Sequence, residues 1–240
     1  LSSLSGLPVY NGGTGGENAR TIVARQGGDV MMINNITIPA DTTPIVIATR
    51  AGGGIPTQLG RKVTPLLQGG AHVNPCYIGD VKGTLRWTGS NYADTTGTWT
   101  FTRDTAGEEV VITRPTAIRT DFDINRNAPQ IMVIFIGQNG GYDNIEDLIN
   151  QHRLMIEHSN CKDFVVLGLS SGSAELRADY EAAMKKEFGR RFISLREYLA
   201  TPIYDANNEI ISCYGLDDAG IDMGTHEYNG TTYVSKYEIS

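Results

Sequence analysis

Ile131-Met-Val-Ile-Phe-Ile136 is a continuous apolar run, and it ends directly in the glycine-rich turn Gly137-Gln-Asn-Gly-Gly141. Unbroken runs of this kind are typical of parallel strands that helices cover on both faces. Residues 145–156 follow with apolar side chains at helical spacing, and Phe164–Leu169 is a second apolar strand. Strands that alternate with helices predict an α/β protein with a doubly wound, flavodoxin-like parallel sheet.

The same alternation extends in both directions along the chain. Towards the N-terminus, Leu7–Tyr10 is predicted to be a short strand and Glu17–Gln26 a helix that stops at Gly27. Towards the C-terminus, a helix capped by Ser173 precedes a short strand at Arg191–Ser194. We therefore expect one sheet in which Leu7–Tyr10 runs parallel to the two apolar strands.

Residues 29–127 have a different pattern. Short stretches rich in Val, Ile, Thr and Trp are separated by Gly, Pro, Asn and Asp, which is typical of antiparallel β-structure. The predicted strands are Val30–Ile38, Pro44–Thr49, Gly83–Thr88, Thr98–Arg103 and Glu109–Ile118. We predict that residues 29–127 form a β-rich insert, a small barrel or sandwich, within an α/β core made of residues 1–28 and 128–240.

Composition and charge exclude several classes of protein. With 40% hydrophobic and 20% charged residues, the 240-residue chain can bury a core and differs from a disordered polymer. Its 27 acidic and 20 basic residues give a net charge of −7 without a basic cluster, so no nucleic-acid partner is expected. No apolar run approaches the roughly 20 residues that span a bilayer. Cys76, Cys161 and Cys213 lack metal-ligand spacing and are expected to be free thiols; localisation stays open.

The loop Asn11-Gly-Gly-Thr-Gly-Gly-Glu-Asn18 is the first candidate site, and it does not fit a nucleotide. Counted from Gly13, a dinucleotide-binding G-x-G-x-x-G sequence needs glycine where Asn18 stands, and the Gly-Lys-Ser/Thr of a Walker loop is absent. Glu17 at the start of the helix would also repel a phosphate that the helix dipole attracts. We predict no cofactor and no metal.

A different chemistry suits two loops at the ends of predicted strands. The glycines of Asn11–Asn18 let backbone N–H groups approach an oxyanion, and the asparagine amide of Gly137–Gly141 supplies another donor. Each loop alone is explained more simply as a tight turn. Two such loops at the carboxyl ends of neighbouring strands favour a shared site.

The same two stretches resemble a known family. Val9-Tyr-Asn-Gly-Gly-Thr-Gly-Gly-Glu-Asn-Ala19 resembles the second conserved block of SGNH (GDSL-like) hydrolases, and Ile136-Gly-Gln-Asn-Gly140 resembles the third, Gly-x-Asn-Asp. The resemblance implies an ester hydrolase of small acyl esters, including acetyl esters on carbohydrates, with Gly16 and Asn139 as the oxyanion-hole donors. Gly140 stands where the family has aspartate.

The resemblance also implies a nucleophilic serine and an Asp-x-x-His block, and neither is evident. The expected positions are before Leu1 for the serine and after Ser240 for the Asp-x-x-His block. We therefore expect residues 1–240 to lack both the nucleophile and the base. We also expect the sheet edge left open by the missing first strand to pair with another chain. Ser170 and Ser171 are predicted to lie in a turn. His226 follows Asp222 by four residues rather than three, which makes it a weak candidate for the base.

Three functions stay open at this point. The first is the ester hydrolase, whose substrate is a small ester or an acylated glycan. The second is a binding module on the same scaffold, in which the β-rich insert recognises a glycan or a protein, and the third is an acyl transferase. Within the insert, Trp87, Tyr92, Trp99 and Phe101 form either a platform for sugar rings or the hydrophobic core of a small β-domain.

Overall fold

The computed structural model describes residues 6, 8–125, 131–169, 174–195, 203–204, 210–212, 225–228 and 231–234. The chain divides into two compact units: the first contains Leu1–Pro129 and Asn150–Cys161, and the second contains Gln130–Ile149 and Lys162–Ser240. The first unit thus includes the early helix as well as the β-rich residues. The predicted boundaries of an insert at residues 29 and 127 stay a prediction.

The described elements of the first unit are mostly short strands. They are α1 (Ala19–Gln26), β1 (Met31–Ile33), β2 (Ile36–Ile38), β3 (Ile45–Thr49), β4 (Ile55–Pro56), β5 (Lys62–Val63), β6 (Cys76–Ile78), β7 (Val81–Trp87), β8 (Thr98–Arg103), β9 (Val110–Ile112), β10 (Thr116–Arg119) and α2 (Asp121–Asn125). Helix α3 (Ile145–Ser159) contributes residues to both units.

The elements that follow belong to the second unit. They are β11 (Ile131–Ile134), β12 (Asp163–Leu167), α4 (Ala174–Phe188), a 3₁₀ turn (Gly189–Arg191), β13 (Phe192–Ile193), β14 (Ile203–Tyr204), β15 (Ile210–Ser212), β16 (Thr225–Tyr228) and β17 (Thr231–Val234). None of the described helices is long and apolar enough to cross a membrane.

The largest sheet has six antiparallel strands in the order β1-β10-β6-β7-β8-β3 and curls into a half-barrel. The predicted fold class, a doubly wound parallel sheet, is therefore wrong, because most of the described strands are antiparallel. The error has a physical origin. Antiparallel strands need no crossover helix between them, so the strands of residues 31–119 pair with one another and form the dominant sheet.

Alternating burial explains why this sheet is stable. In β8, Trp99 and Phe101 are fully buried while their neighbours are partly exposed, and Leu85 of β7 pairs with Phe101. Trp87 and Trp99 face each other across the two strands with ring centroids 4.5 Å apart. The Trp99 indole N–H donates a hydrogen bond of 2.7 Å to the carbonyl oxygen of Pro65, which satisfies its buried donor.

The antiparallel strands predicted from the sequence are present, with two interruptions. The predicted strand Val30–Ile38 breaks into β1 and β2 at Asn35, which has a φ of +51°. The predicted strand Glu109–Ile118 likewise divides into β9 and β10. The short strands β4, β5 and β6 were not predicted, because two or three residues are too few to show an alternating pattern.

A three-stranded parallel sheet in the second unit has the order β11-β12-β13. Ile131 pairs with Asp163 and Ile134 with Val166, so the two apolar runs do pair in parallel. The expectation that both faces of the first run are covered is wrong. Val133 is 53% exposed, and Ile131 and Phe135 are exposed to similar extents. Met132 and Ile134, which point to the other face, are buried.

The predicted strand Leu7–Tyr10 is also wrong for the described residues 8–10, which have no strand partner. Pro8 offers no backbone N–H to a sheet, and Val9 and Tyr10 are 50% and 38% exposed. A strand of a doubly wound sheet would have buried these side chains. Leu7 and the predicted cap Ser173 lie outside the described residues.

Candidate functional site

The glycine-rich loop is a sequence of tight turns that leads into helix α1. The N–H of Gly13 donates to the Asn11 side chain at 3.0 Å, and the N–H of Glu17 donates to the Thr14 carbonyl oxygen at 3.3 Å. Asn18 caps the helix, since its side chain accepts a hydrogen bond of 3.0 Å from the N–H of Thr21. The loop therefore approaches the positive end of the helix dipole.

Gly16 lies at the exposed corner of this loop. Its φ is +78°, in the region that favours glycine. A Cβ added there would lie 3.4 Å from Cγ of Gln68, which shows that residue 68 lies alongside. Within the described part of the chain, the Gly16 N–H has no hydrogen-bond acceptor. An exposed and uncommitted N–H at this place is able to bind an oxyanion or a carbonyl oxygen.

A buried ion pair anchors the glycine-rich loop to helix α1. Glu17 and Arg25 have side chains that are 4% and 2% exposed, and Arg25 Nη2 lies 2.6 Å from the carboxylate. Arg25 Nε contacts both carboxylate oxygens at 3.1 Å, and Nη1 donates to the carbonyl oxygen of Ala71 at 3.0 Å. Thr14 Oγ1 accepts a hydrogen bond of 3.3 Å from the N–H of Ala71. The loop and the 68–72 segment (Gln68-Gly-Gly-Ala-His72) are thus held together.

The second loop follows strand β11. Gly137, Gly140 and Gly141 have φ values of +99°, +69° and +84°, and the N–H of Gly140 donates to the carbonyl oxygen of Gly137 at 3.0 Å. A Cβ at Gly137 would lie 3.0 Å from two methyl carbons of Leu148, so the turn packs closely on helix α3. Asn139 is exposed at the tip of this turn.

Gly16 and Asn139, the two predicted oxyanion donors, therefore both lie on exposed turns. Gly16 belongs to the first compact unit and Asn139 to the second. Their convergence on one oxygen atom stays a prediction.

The remaining candidates of the sequence are placed as follows. His226 lies in β16, opposite Tyr233 of β17. Ser170 and Ser171 lie outside the described residues.

The chain matches no family model, no curated protein and no solved structure. The family resemblance accordingly depends on the two quoted motifs alone.

A cluster beside the glycine-rich loop was missed by the sequence analysis. His72 Nδ1 lies 3.5 Å from Oδ2 of Asp121, and the His72 ring centroid is 4.5 Å from that of Tyr10. The Phe122 ring lies 5.9 Å from that of Tyr10, and a Cβ at Gly12 would overlap it. The residues are far apart in sequence, so no local pattern reveals their contact.

His72 is held in a strained backbone conformation, with a φ of +62°. Its carbonyl oxygen accepts a hydrogen bond of 2.8 Å from the N–H of Phe122, and the N–H of Asp121 donates to the carbonyl oxygen of Val73 at 3.2 Å. Non-glycine residues adopt this conformation at a cost that surrounding contacts must offset. The start of helix α2 provides those contacts.

A second polar cluster surrounds Asp123, whose side chain is 3% exposed. His158 Nε2 and Arg119 Nε each lie 2.7 Å from one of its carboxylate oxygens. Burial raises the pKa of Asp123, but the hydrogen bonds from His158 and Arg119 outweigh burial, and the pKa is lower than its ordinary value. The carboxylate therefore stays ionised at neutral pH and ties helix α2 to the later part of α3.

The remaining candidates are the aromatic side chains of the β-rich residues and the cysteines. Trp99 and Phe101 are fully buried in the core, so they form no sugar platform; Tyr92 is 64% exposed. Cys76 and Cys161 are free and buried, and burial raises the pKa of the Cys76 thiol to about 12. Cys213 lies outside the described residues. No group of three or more His, Cys, Asp or Glu side chains in the described ranges is arranged to hold a metal ion.

Proposed function

We propose that this chain belongs to a serine-type ester hydrolase that acts on small acyl esters, acetyl esters of carbohydrates among them, with Gly16 and Asn139 as oxyanion donors. The observation that carries the proposal is the exposed Gly16 N–H, which has no acceptor among the described residues and stands just before the N-terminus of α1. The proposal rests on the loops and not on the fold class.

The chemistry follows from charge development. Attack of a serine oxygen on the acyl carbonyl converts a neutral carbonyl oxygen into an oxyanion, and a histidine takes the serine proton. Donors that point at that oxygen bind the transition state more strongly than the substrate. The Glu17–Arg25 pair supports this role, because a rigid loop loses little freedom as the charge forms.

The test is hydrolysis of p-nitrophenyl acetate by the natural protein that contains this chain. Asn139→Ala is expected to lower kcat by about 10²–10³ with little change in Tm, because it removes a transition-state donor. Asn34→Ala is the matched control, since Asn34 is an exposed asparagine between β1 and β2. A loss of less than about tenfold in the Asn139 variant would contradict the assignment.

We also propose that strand β11 pairs with another chain, most simply a second copy. Among the described strands, β11 has one neighbour, β12, and its outer edge is open. Ile131 and Val133 of this strand are more than half exposed. Open strand edges with apolar side chains promote pairing between chains.

A further inference from the structure

The cluster at the glycine-rich loop has the composition of a sugar-binding surface. Tyr10 is 38% exposed, so its ring is accessible to a ligand, while its contacts with His72 and Phe122 hold it in place. An aromatic ring fixed in this way offers an apolar face against which the C–H groups of a pyranose ring can pack.

The polar members of the cluster suit hydroxyl groups. The Asp121 side chain is 17% exposed; its Oδ1 accepts a hydrogen bond of 2.7 Å from Asn125, and its Oδ2 lies 3.5 Å from the His72 ring. A carboxylate has about four acceptor positions, so it retains capacity for hydroxyl donors. His72 directs Nδ1 towards Asp121, which leaves Nε2 as the ring nitrogen for a ligand, and the His72 side chain is 32% exposed.

Charge decides which sugar fits. The nearby cation Arg25 is neutralised by Glu17 in a buried pair, so it is not a free anion receptor. Asp121 presents negative charge at the surface of the cluster. A phosphorylated or carboxylated ligand would therefore be repelled, whereas a neutral sugar would not.

We propose that Tyr10, His72 and Asp121 form a subsite for a neutral pyranose ring, the alcohol part of the ester substrate. The identification of the ring as part of an ester rests on the proposed function. The subsite and Gly16 both adjoin the 68–72 segment: Gln68 lies alongside Gly16, the N–H of Ala71 donates to Thr14, and His72 belongs to the subsite. A sugar seated there would present its acyl group to the loop.

The experiment is calorimetric titration of this chain with four probes: xylobiose, cellobiose, N,N′-diacetylchitobiose and, as the anionic probe, glucose 6-phosphate. At least one neutral disaccharide is expected to bind saturably, and the phosphate is not. Tyr10→Ala should raise the Kd about tenfold, as expected for the loss of an aromatic contact, while Tyr10→Phe should bind nearly as the wild type does. Tyr92→Ala, a change in a more exposed tyrosine of the β7–β8 loop, should have no effect.

Two outcomes would overturn the subsite. One is a wild-type chain, folded by circular dichroism, that binds none of the neutral disaccharides; the other is a Tyr10→Ala variant that binds as tightly as wild type. Should Tyr10→Ala fail to fold, His72→Gln is measured instead, and unchanged binding in that variant also overturns the proposal. Hydrolysis of p-nitrophenyl acetate, which carries no sugar, is assayed in parallel with the natural protein that contains this chain. Acetate hydrolysis without sugar binding refutes the subsite alone, and sugar binding without hydrolysis refutes the hydrolase alone.

Discussion

Replacement of Glu17 by alanine would leave the guanidinium of Arg25 buried without a counter-ion, with the Ala71 carbonyl oxygen and the face of the Phe122 ring as its remaining described contacts. The pair is almost completely shielded from water, with side chains 2% and 4% exposed, and its three N–O contacts range from 2.6 to 3.1 Å. Removal of one partner from such a buried pair costs about 3–5 kcal/mol. At about 2–4 °C per kcal/mol for a chain of this size, Tm should fall by roughly 10 °C.

The measurement is urea unfolding followed by circular dichroism at neutral pH. A double variant, Glu17→Leu with Arg25→Met, is expected to be much closer to wild type than Glu17→Ala, because it removes both charges together. Asp104→Ala is the control, since the pair that Asp104 forms with Lys82 is half-exposed, and its loss should cost about 1 kcal/mol or less. If Glu17→Ala cost no more than this control, the view that the ion pair anchors the loop would be refuted.

Two other predictions concern Asp123 and strand β11. Because the folded-state pKa of Asp123 is below its ordinary value of 3.8, its contribution to stability is present above that value and lost as pH falls through the lower folded value. Asp123→Asn should therefore weaken the dependence of stability on pH below the ordinary value of 3.8 in acid titrations of unfolding. An unchanged profile would contradict this. Val133→Lys should shift the chain from dimer towards monomer in light scattering, because it places a charge on the strand proposed to pair with a second copy. An unchanged mass would show that β11 takes no part in pairing.

The sequence predicted individual strands better than their arrangement. Thr98–Arg103 was recognised to the residue because Trp99 and Phe101 alternate with threonines. The apolar run that begins at Ile131 was a strand as predicted, but the same run gave the wrong fold class and the wrong burial. Apolar character does not reveal whether a neighbour covers both faces, and Val133 is exposed although its sequence context is entirely apolar.

The candidate site shows a similar limit. The turn at Gly16 and the cap at Asn18 follow from local chemistry, since glycine permits a positive φ and asparagine accepts the N–H groups of a helix start. The contact between His72 and Asp121 joins residues that are 49 positions apart in the sequence, and it depends on how helix α2 packs. No periodic pattern encodes such a contact, so it had to be observed.

The facing pair Trp87 and Trp99 gives this molecule a selective optical probe. The chain contains two tryptophans, and both lie in the six-stranded sheet. Emission excited at the red edge of indole absorption therefore originates in the first compact unit and carries no signal from β11, β12 or β13. If denaturant shifts that emission at one concentration and changes the far-ultraviolet ellipticity of the whole chain at another, the chain does not unfold in a single two-state transition. The emission midpoint then reports the stability of the first unit alone.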